Sequence, residues 1–369
     1  MHLSDILILG YYGFKNSGDD ALLLSIIQQL RKQDSGLELC VLSQNPAETA
    51  RIYKVKAVKR DNPIALIKAL LSCKMLLVGG GTLVQDGTST KSLLYYLYVI
   101  RFALMLGKKV MLYANGIGPL KEENHSLTRK ILNRVQLITL RDKIAADELK
   151  SLGVTKPEIR LTADAAFGLD YDESRDISEL LKKNGIPENK GYFCVAVRDN
   201  KNPDFATAMA RVCDNISEKY GLYPVFMPFQ KTKDNKITEE IRKKMKVESG
   251  LFDTECCISE LLKFISGAEV LIGMRLHSLI YAAICRVPLM GLVYDPKVKG
   301  FMEYIGLESY ADADNTDAAG LEKICVDCLD NSDKIKNRLE ENYKIMRDKA
   351  EENAALAVRL LKVPPKGKK

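Results

Sequence analysis

Nine short apolar runs, separated from one another by amphipathic stretches, set the first limit on what this chain can fold into. In the first half, runs 5–9, 37–42, 75–78, 110–113 and 137–140 read as buried strands. Helical periodicity over 21–32, 92–106 and 127–135 lies between them. This alternation predicts parallel α/β architecture. Residues 170–191 are acidic, then rich in Lys, Asn and Gly with Pro187, and read as a linker around a short helix. The pattern then restarts, with strands expected at 192–197, 224–227, 270–272 and 289–293 and helices at 204–219, 258–266 and 277–284. The expected fold is α/β, with two Rossmann-like, doubly wound domains at 1–170 and 191–332. A linker at 171–190 joins them, and a long helix and basic tail follow at 333–369. The 369 residues exceed a single core, which agrees.

Composition narrows the partners. A net charge of +7 suits anionic small substrates or lipid head groups, and no RNP-like aromatic run supports nucleic acid, so no nucleic-acid partner is expected. Nine Cys, an odd number without a repeating framework, suggest reduced thiols. The first ten residues lack a signal-peptide design, so the expected location is cytoplasmic. No metal or cofactor is expected: Cys325 and Cys328 have no second pair, and Asp312 to Asp317 lack the glycine and terminal Glu of a calcium loop. The tail at 362–369 reads as disordered, or as weakly attracted to an anionic membrane surface.

Ligands of doubly wound sheets bind beyond the carboxyl ends of the strands, so the residues after each strand matter most. The first run exits into Gly10–Asp20, in which Gly13 and Gly18 permit close backbone approach and Asp19 or Asp20 can cap a helix. Its spacing matches neither the dinucleotide nor the P-loop motif. The third run exits into Gly79-Gly80-Gly81, the fourth into Asn115-Gly116-Ile117-Gly118-Pro119, and the fifth into Arg141-Asp142, an adjacent ion pair that is either structural or functional. In the second half, the exits carry cations: Arg198, then Arg275-Leu276-His277, then Lys297. Together Arg198, Arg275 and Lys297 would suit a substrate bearing both phosphate and carboxylate; the alternative is solvated surface charge. His277, at a helix start beside Arg275, reads as catalytic or structural with equal claim.

These segments resemble the polysaccharide pyruvyl transferases, closest to the CsaB-type enzymes of bacterial secondary cell-wall polymers. The resemblance rests on GYYGFKNSGDDA at 10–21, GGGTLVQD at 79–86, NGIGP at 115–119, ITLRD at 138–142, ADAAF at 163–167, VAVRD at 195–199 and GMRLHS at 273–278, in order. It implies a GT-B-like fold, two Rossmann-like domains facing across a cleft, with acceptor in the first and donor in the second. It also implies transfer of the pyruvyl group of phosphoenolpyruvate to a sugar as a ketal, typically N-acetylmannosamine on a lipid-linked saccharide acceptor. By motif, His277, Lys297 and Arg141 are the expected catalytic residues, and Arg198, Arg275 and Leu276 the donor-binding ones. Asn16, Gly18, Asp19, Gly80 and Gly81 are expected on the acceptor. Asp20 stands where Glu is expected in many members. The competing expectations are a GT-B glycosyltransferase with a nucleotide-sugar donor and an inactive sugar-binding protein.

Overall fold

The computed structural model describes residues 4–364; most of the basic tail anticipated at 362–369 lies outside them. The chain divides into two compact units, Met1–Asp170 with Ile345–Lys369, and Tyr171–Lys344.

The first unit is built on a parallel sheet of β1 (Ser4–Tyr12), β2 (Leu39–Ser43), β3 (Lys56–Lys59), β4 (Cys73–Gly79), β5 (Lys109–Asn115), β6 (Leu137–Leu140) and β7 (Glu158–Leu161), in the order β3-β2-β1-β4-β5-β6-β7. Its helices are α1 (Ser17–Gln33), α2 (Pro46–Tyr53), α3 (Pro63–Ser72), α4 (Thr90–Met105), α5 (Glu122–Leu132) and α6 (Lys143–Ser151). In β4, Met75, Leu76, Leu77 and Val78 are all buried, because both faces of the sheet are covered. Leu7, Leu9, Leu76 and Val78 share one core cluster with Leu70 of α3 and Leu93, Leu97 and Ile100 of α4.

The second unit carries β8 (Tyr192–Ala196), β9 (Tyr223–Phe226), β10 (Gly250–Leu251), β11 (Ala268–Gly273), β12 (Leu289–Val293) and β13 (Tyr310–Asp312), in the order β10-β9-β8-β11-β12-β13. Its helices are α7 (Ser178–Lys183), α8 (Phe205–Tyr220), α9 (Lys231–Lys244), α10 (Ile258–Ser266), α11 (Leu276–Ile284), α12 (Pro296–Tyr304) and α13 (Ala318–Asp330). The last helix, α14 (Ser332–Lys362), contributes to both units. Within the first, its Asn353 accepts from Thr162 Oγ1 at 2.9 Å, and Ala350, Ala354 and Ala357 are buried.

Both sheets are therefore of the expected Rossmann-like type. Each has a switch point, β1 beside β4 and β8 beside β11, from which the chain winds outward in both directions. Four strands escaped the sequence reading: β3, β7, β10 and β13. All four are sheet edges; β3 and β7 bear charge, and β10 and β13 have only two and three residues, so none shows a buried apolar run. The helix expected from residue 127 begins earlier, at Glu122, and so takes in His125. Glu122 and Glu123 favour that helix start because the N-terminal dipole attracts anions. Cys325 and Cys328 are buried on α13 and all nine thiols are free.

Candidate functional site

The switch points locate the two clusters of site residues. In the first unit, Asn16 caps α1: its Oδ1 accepts from the Gly18 N–H at 3.0 Å. That cap fixes Gly18, Asp19 and Asp20 in the first turn. Beside it, β4 exits into Gly80 and Gly81, whose φ angles of 80° and 68° are open to glycine and disfavoured for other residues. A Cβ on Gly81 would lie 3.4 Å from Asp19 Oδ1, so the Asp19 carboxyl rests against the glycine loop. Burial is the main reason that carboxyl is pushed up to about 8, with Asp20 adding to the effect while Arg141 opposes it. Asp20 rises only to about 6, because the Tyr53 hydroxyl, 3.2 Å away, partly offsets its burial. Neighbouring carboxyls are thus set apart in proton affinity, as an acid–base site requires.

Arg141, leaving β6, is 5% exposed. Its Nε donates to Asp142 at 3.0 Å, Nη1 to Asp164 at 3.2 Å and Nη2 to Thr82 Oγ1 at 3.1 Å. Burial alone would lower its pKa, but the two carboxylates outweigh it and hold the pKa raised. A Cβ on Gly116 would come within 3.0 Å of Nε and Nη2, so glycine there makes room for the guanidinium. Arg141 joins four strand exits, those of β4, β5, β6 and β7.

The sequence reading missed Arg60. Its guanidinium carbon lies 4.5 Å from the ring centre of Tyr95, 5.2 Å from that of Phe14 and 5.5 Å from that of Tyr96. Nη1 also donates to the Gly10 carbonyl at 2.9 Å. Tyr11, near the end of β1, and Phe14, on the loop before α1, stack at 4.0 Å, 5° from parallel, and both are exposed. In a chain without Trp, this pair offers a flat apolar platform of the kind that sugar rings stack on.

In the second unit, Arg198 follows β8 and its guanidinium lies 4.3 Å from the Tyr294 ring centre, beyond β12. Its backbone N–H points to Met274 Sδ at 3.3 Å, past the end of β11. The Nε of Arg198 and the Nδ2 of Asn200 are buried and have no hydrogen-bond partner among the described residues. Buried donors in that condition are costly unless a ligand accepts from them. Arg275 caps α11 and places Nε 3.2 Å from Asp234 Oδ2, while Nη2 reaches Oδ1 of the same carboxylate. Leu276 and His277 form the first turn of α11, half-buried, with the His277 ring 6.1 Å from that of Tyr281. Lys297 stands in the first turn of α12, where its N–H donates to the capping Asp295 at 2.9 Å. Four cationic or titratable side chains therefore leave adjacent strands of one sheet on one edge. Asp234, Asn200 and Tyr294 also escaped the sequence reading, since each acquires its place only through the fold.

Among the described residues, no group of three or more His, Cys, Asp or Glu is placed to hold a metal ion. No helix among them is long and apolar enough to cross a membrane.

A family model of polysaccharide pyruvyl transferases matches residues 16–296. The amylovoran biosynthesis protein AmsJ of Erwinia amylovora is 21% identical over 364 residues, covering 83% of this chain and 87% of that protein. Among solved structures, a glycosyltransferase from Rickettsia africae superposes with a TM-score of 0.63 at 9% identity, over 98% of this chain and 100% of that one. The UDP-GlcNAc 2-epimerase of Neisseria meningitidis also gives 0.63, at 11% identity, over 96% and 99%. At such identities these two describe the fold alone.

Proposed function

The chain belongs to the polysaccharide pyruvyl transferase family, and from that premise we propose that it moves the pyruvyl group of phosphoenolpyruvate onto two hydroxyls of a sugar, as a ketal. The observation that carries this reading is the edge of the six-stranded sheet, where Arg198, Arg275, His277 and Lys297 leave neighbouring elements and the buried Nε of Arg198 has no partner among the described residues. Phosphoenolpyruvate carries a phosphate and a carboxylate, and this edge offers two guanidinium forks and an ammonium for them.

The chemistry assigns work to each group. A proton delivered to the methylene carbon makes the adjacent carbon oxocarbenium-like; His277 is the acid. One sugar hydroxyl adds there, the C–O bond to phosphate breaks, and a second hydroxyl closes the ketal, so one inorganic phosphate leaves for each pyruvyl group gained. Arg198, Arg275 and Lys297 neutralise the donor's anions and the departing phosphate. Arg275 retains its Nη1 edge for this purpose while Asp234 holds the other. In the first unit, Asp19, with its proton affinity near the working pH, takes the proton of one hydroxyl, and the departing phosphate carries off that of the other. Asn16, Gly18, Gly80 and Gly81 shape the acceptor loop, Arg141 supports it, and Tyr11 and Phe14 give the sugar a face to stack on.

The proposed acceptor is N-acetylmannosamine of a lipid-linked cell-wall precursor, as in the CsaB-type enzymes, modified on the cytoplasmic side of the membrane. The test is to incubate purified chain with phosphoenolpyruvate and acceptor sugars and follow inorganic phosphate. Stoichiometric phosphate and pyruvyl-sugar support the reading; consumption of a nucleotide sugar without phosphoenolpyruvate turnover overturns it.

A further inference from the structure

Two neighbouring helices of the first unit expose apolar side chains where a surface helix ordinarily exposes charge. On α3, Ile64, Ile67 and Leu71 are 67%, 41% and 57% exposed, and their i, i+3, i+7 spacing puts them on one face. On α4, Tyr98 and Met105 are 51% and 63% exposed, with exposed Arg101 between them at the same spacing. The opposite faces, through Leu70 and through Leu93, Leu97 and Ile100, are committed to one core cluster. Neither helix can therefore turn its outer face inward.

The two helices are tied together at both ends. Lys108, just past α4, donates from Nζ to the Leu71 carbonyl at 2.8 Å and to that of Cys73 at 2.7 Å, at the end of α3. At the other ends, Tyr95 and Tyr96 of α4 flank Arg60, which precedes α3. Each helix thus presents an exposed apolar row on the same unit, and Arg60 links their ends to the Tyr11–Phe14 platform.

The charge along α3 and α4 is one-sided. Residues 62–109 contain six cations, Lys68, Lys74, Lys91, Arg101, Lys108 and Lys109, against the single acid Asp86. Asp86 is buried and occupied by the Lys121 N–H and the Asn124 amide. Lys74 is paired with Asp5 at 2.7 Å, but Lys68, Lys91 and Arg101 are exposed and pair with no acid among the described residues.

We infer that the α3–α4 face is a docking surface for an anionic phospholipid membrane, an inference that rests on the reading of the acceptor as lipid-linked. Ile64, Ile67, Leu71 and Met105 enter the acyl boundary, Tyr98 sits at the head-group level, and Lys68, Lys91 and Arg101 meet the phosphates. A second copy of this chain fits less well, because two such faces would oppose cation to cation with no acid to pair them.

The test is co-flotation of the full chain with vesicles of phosphatidylcholine alone or mixed with phosphatidylglycerol. The unaltered chain should float with the mixed vesicles. Ile67→Glu/Leu71→Glu and Lys68→Glu/Arg101→Glu should each lose at least tenfold in bound fraction. Both lie on exposed positions, and circular dichroism should be unchanged. Variants that float like the parent, a parent that ignores mixed vesicles, or a parental dimer that Ile67→Glu/Leu71→Glu dissociates would each overturn the inference, the last in favour of a second copy. Flotation needs no turnover, so the two readings fail separately. A chain that floats yet releases no phosphate from phosphoenolpyruvate loses the catalytic reading alone; one that turns over a lipid-free acceptor but never floats loses the membrane face alone.

Discussion

Arg275 turns the Nε edge of its guanidinium onto Asp234, a carboxylate on α9 with no exposed surface, and so holds the cap of α11 to a helix forty residues earlier in the chain. The pair uses the Nε edge of the fork, and the proposed donor is assigned to the other. A planar fork is needed for both tasks, which lysine cannot do at once. Arg275→Lys should therefore raise KM for phosphoenolpyruvate at least tenfold although the charge is kept. Steady-state kinetics with unchanged KM and kcat would remove Arg275 from the donor site.

Asp234→Ala tests the other side of the same contact. Removing one partner of a buried ion pair commonly costs about 3–5 kcal/mol, because a charge is left without compensation. Thermal unfolding should show a loss of that order. KM for the donor should rise as well, and Asp234→Glu should recover part of the KM. A variant with normal stability and normal KM would show that Arg275 stands in place unaided.

His277→Ala should fold and still bind phosphoenolpyruvate, yet release phosphate about 10²–10⁴-fold more slowly, the usual cost of losing a positioned general acid. His277→Gln should do no better, since an amide donates a hydrogen bond but delivers no proton. Near-normal kcat in the Gln variant would make His277 a binding residue.

Asp19 gives a pH signature. In the folded chain it keeps its proton to about pH 8, whereas an unfolded Asp releases it near 3.9. The folded state therefore binds more protons between those values. Stability from this group is complete below about pH 4 and is lost as pH rises through about 8. Because the side chain keeps some contact with solvent, the loss should be on the order of 2 kcal/mol rather than the full shift. Asp19→Asn should flatten denaturant-measured stability over that window and also lower kcat. A parallel pH profile in parent and variant would refute the raised proton affinity.

The local signals carried the fold a long way. Runs such as 75–78 and 270–272 are apolar at successive positions, as a strand covered on both faces requires, and their alternation with amphipathic stretches let two parallel sheets be read from the chain alone. Glycines at 80, 81 and 116 and the polar residues after each run marked the strand exits. The edge strands were not legible, because β3 and β7 bury little and alternate with charge. Nor were the contacts that give those exits their chemistry. Arg60 gathers Tyr11, Phe14, Tyr95 and Tyr96, and Asp234 meets Arg275, across separations of tens of residues. Such pairings have no periodicity and no fixed spacing; they exist only once strand order brings distant exits to one edge. The same holds for Asp19: its sequence neighbours predict an ordinary helix cap, and burial that the fold supplies, with the glycine loop of β4 beside it, takes away much of the water that would keep its carboxyl acidic.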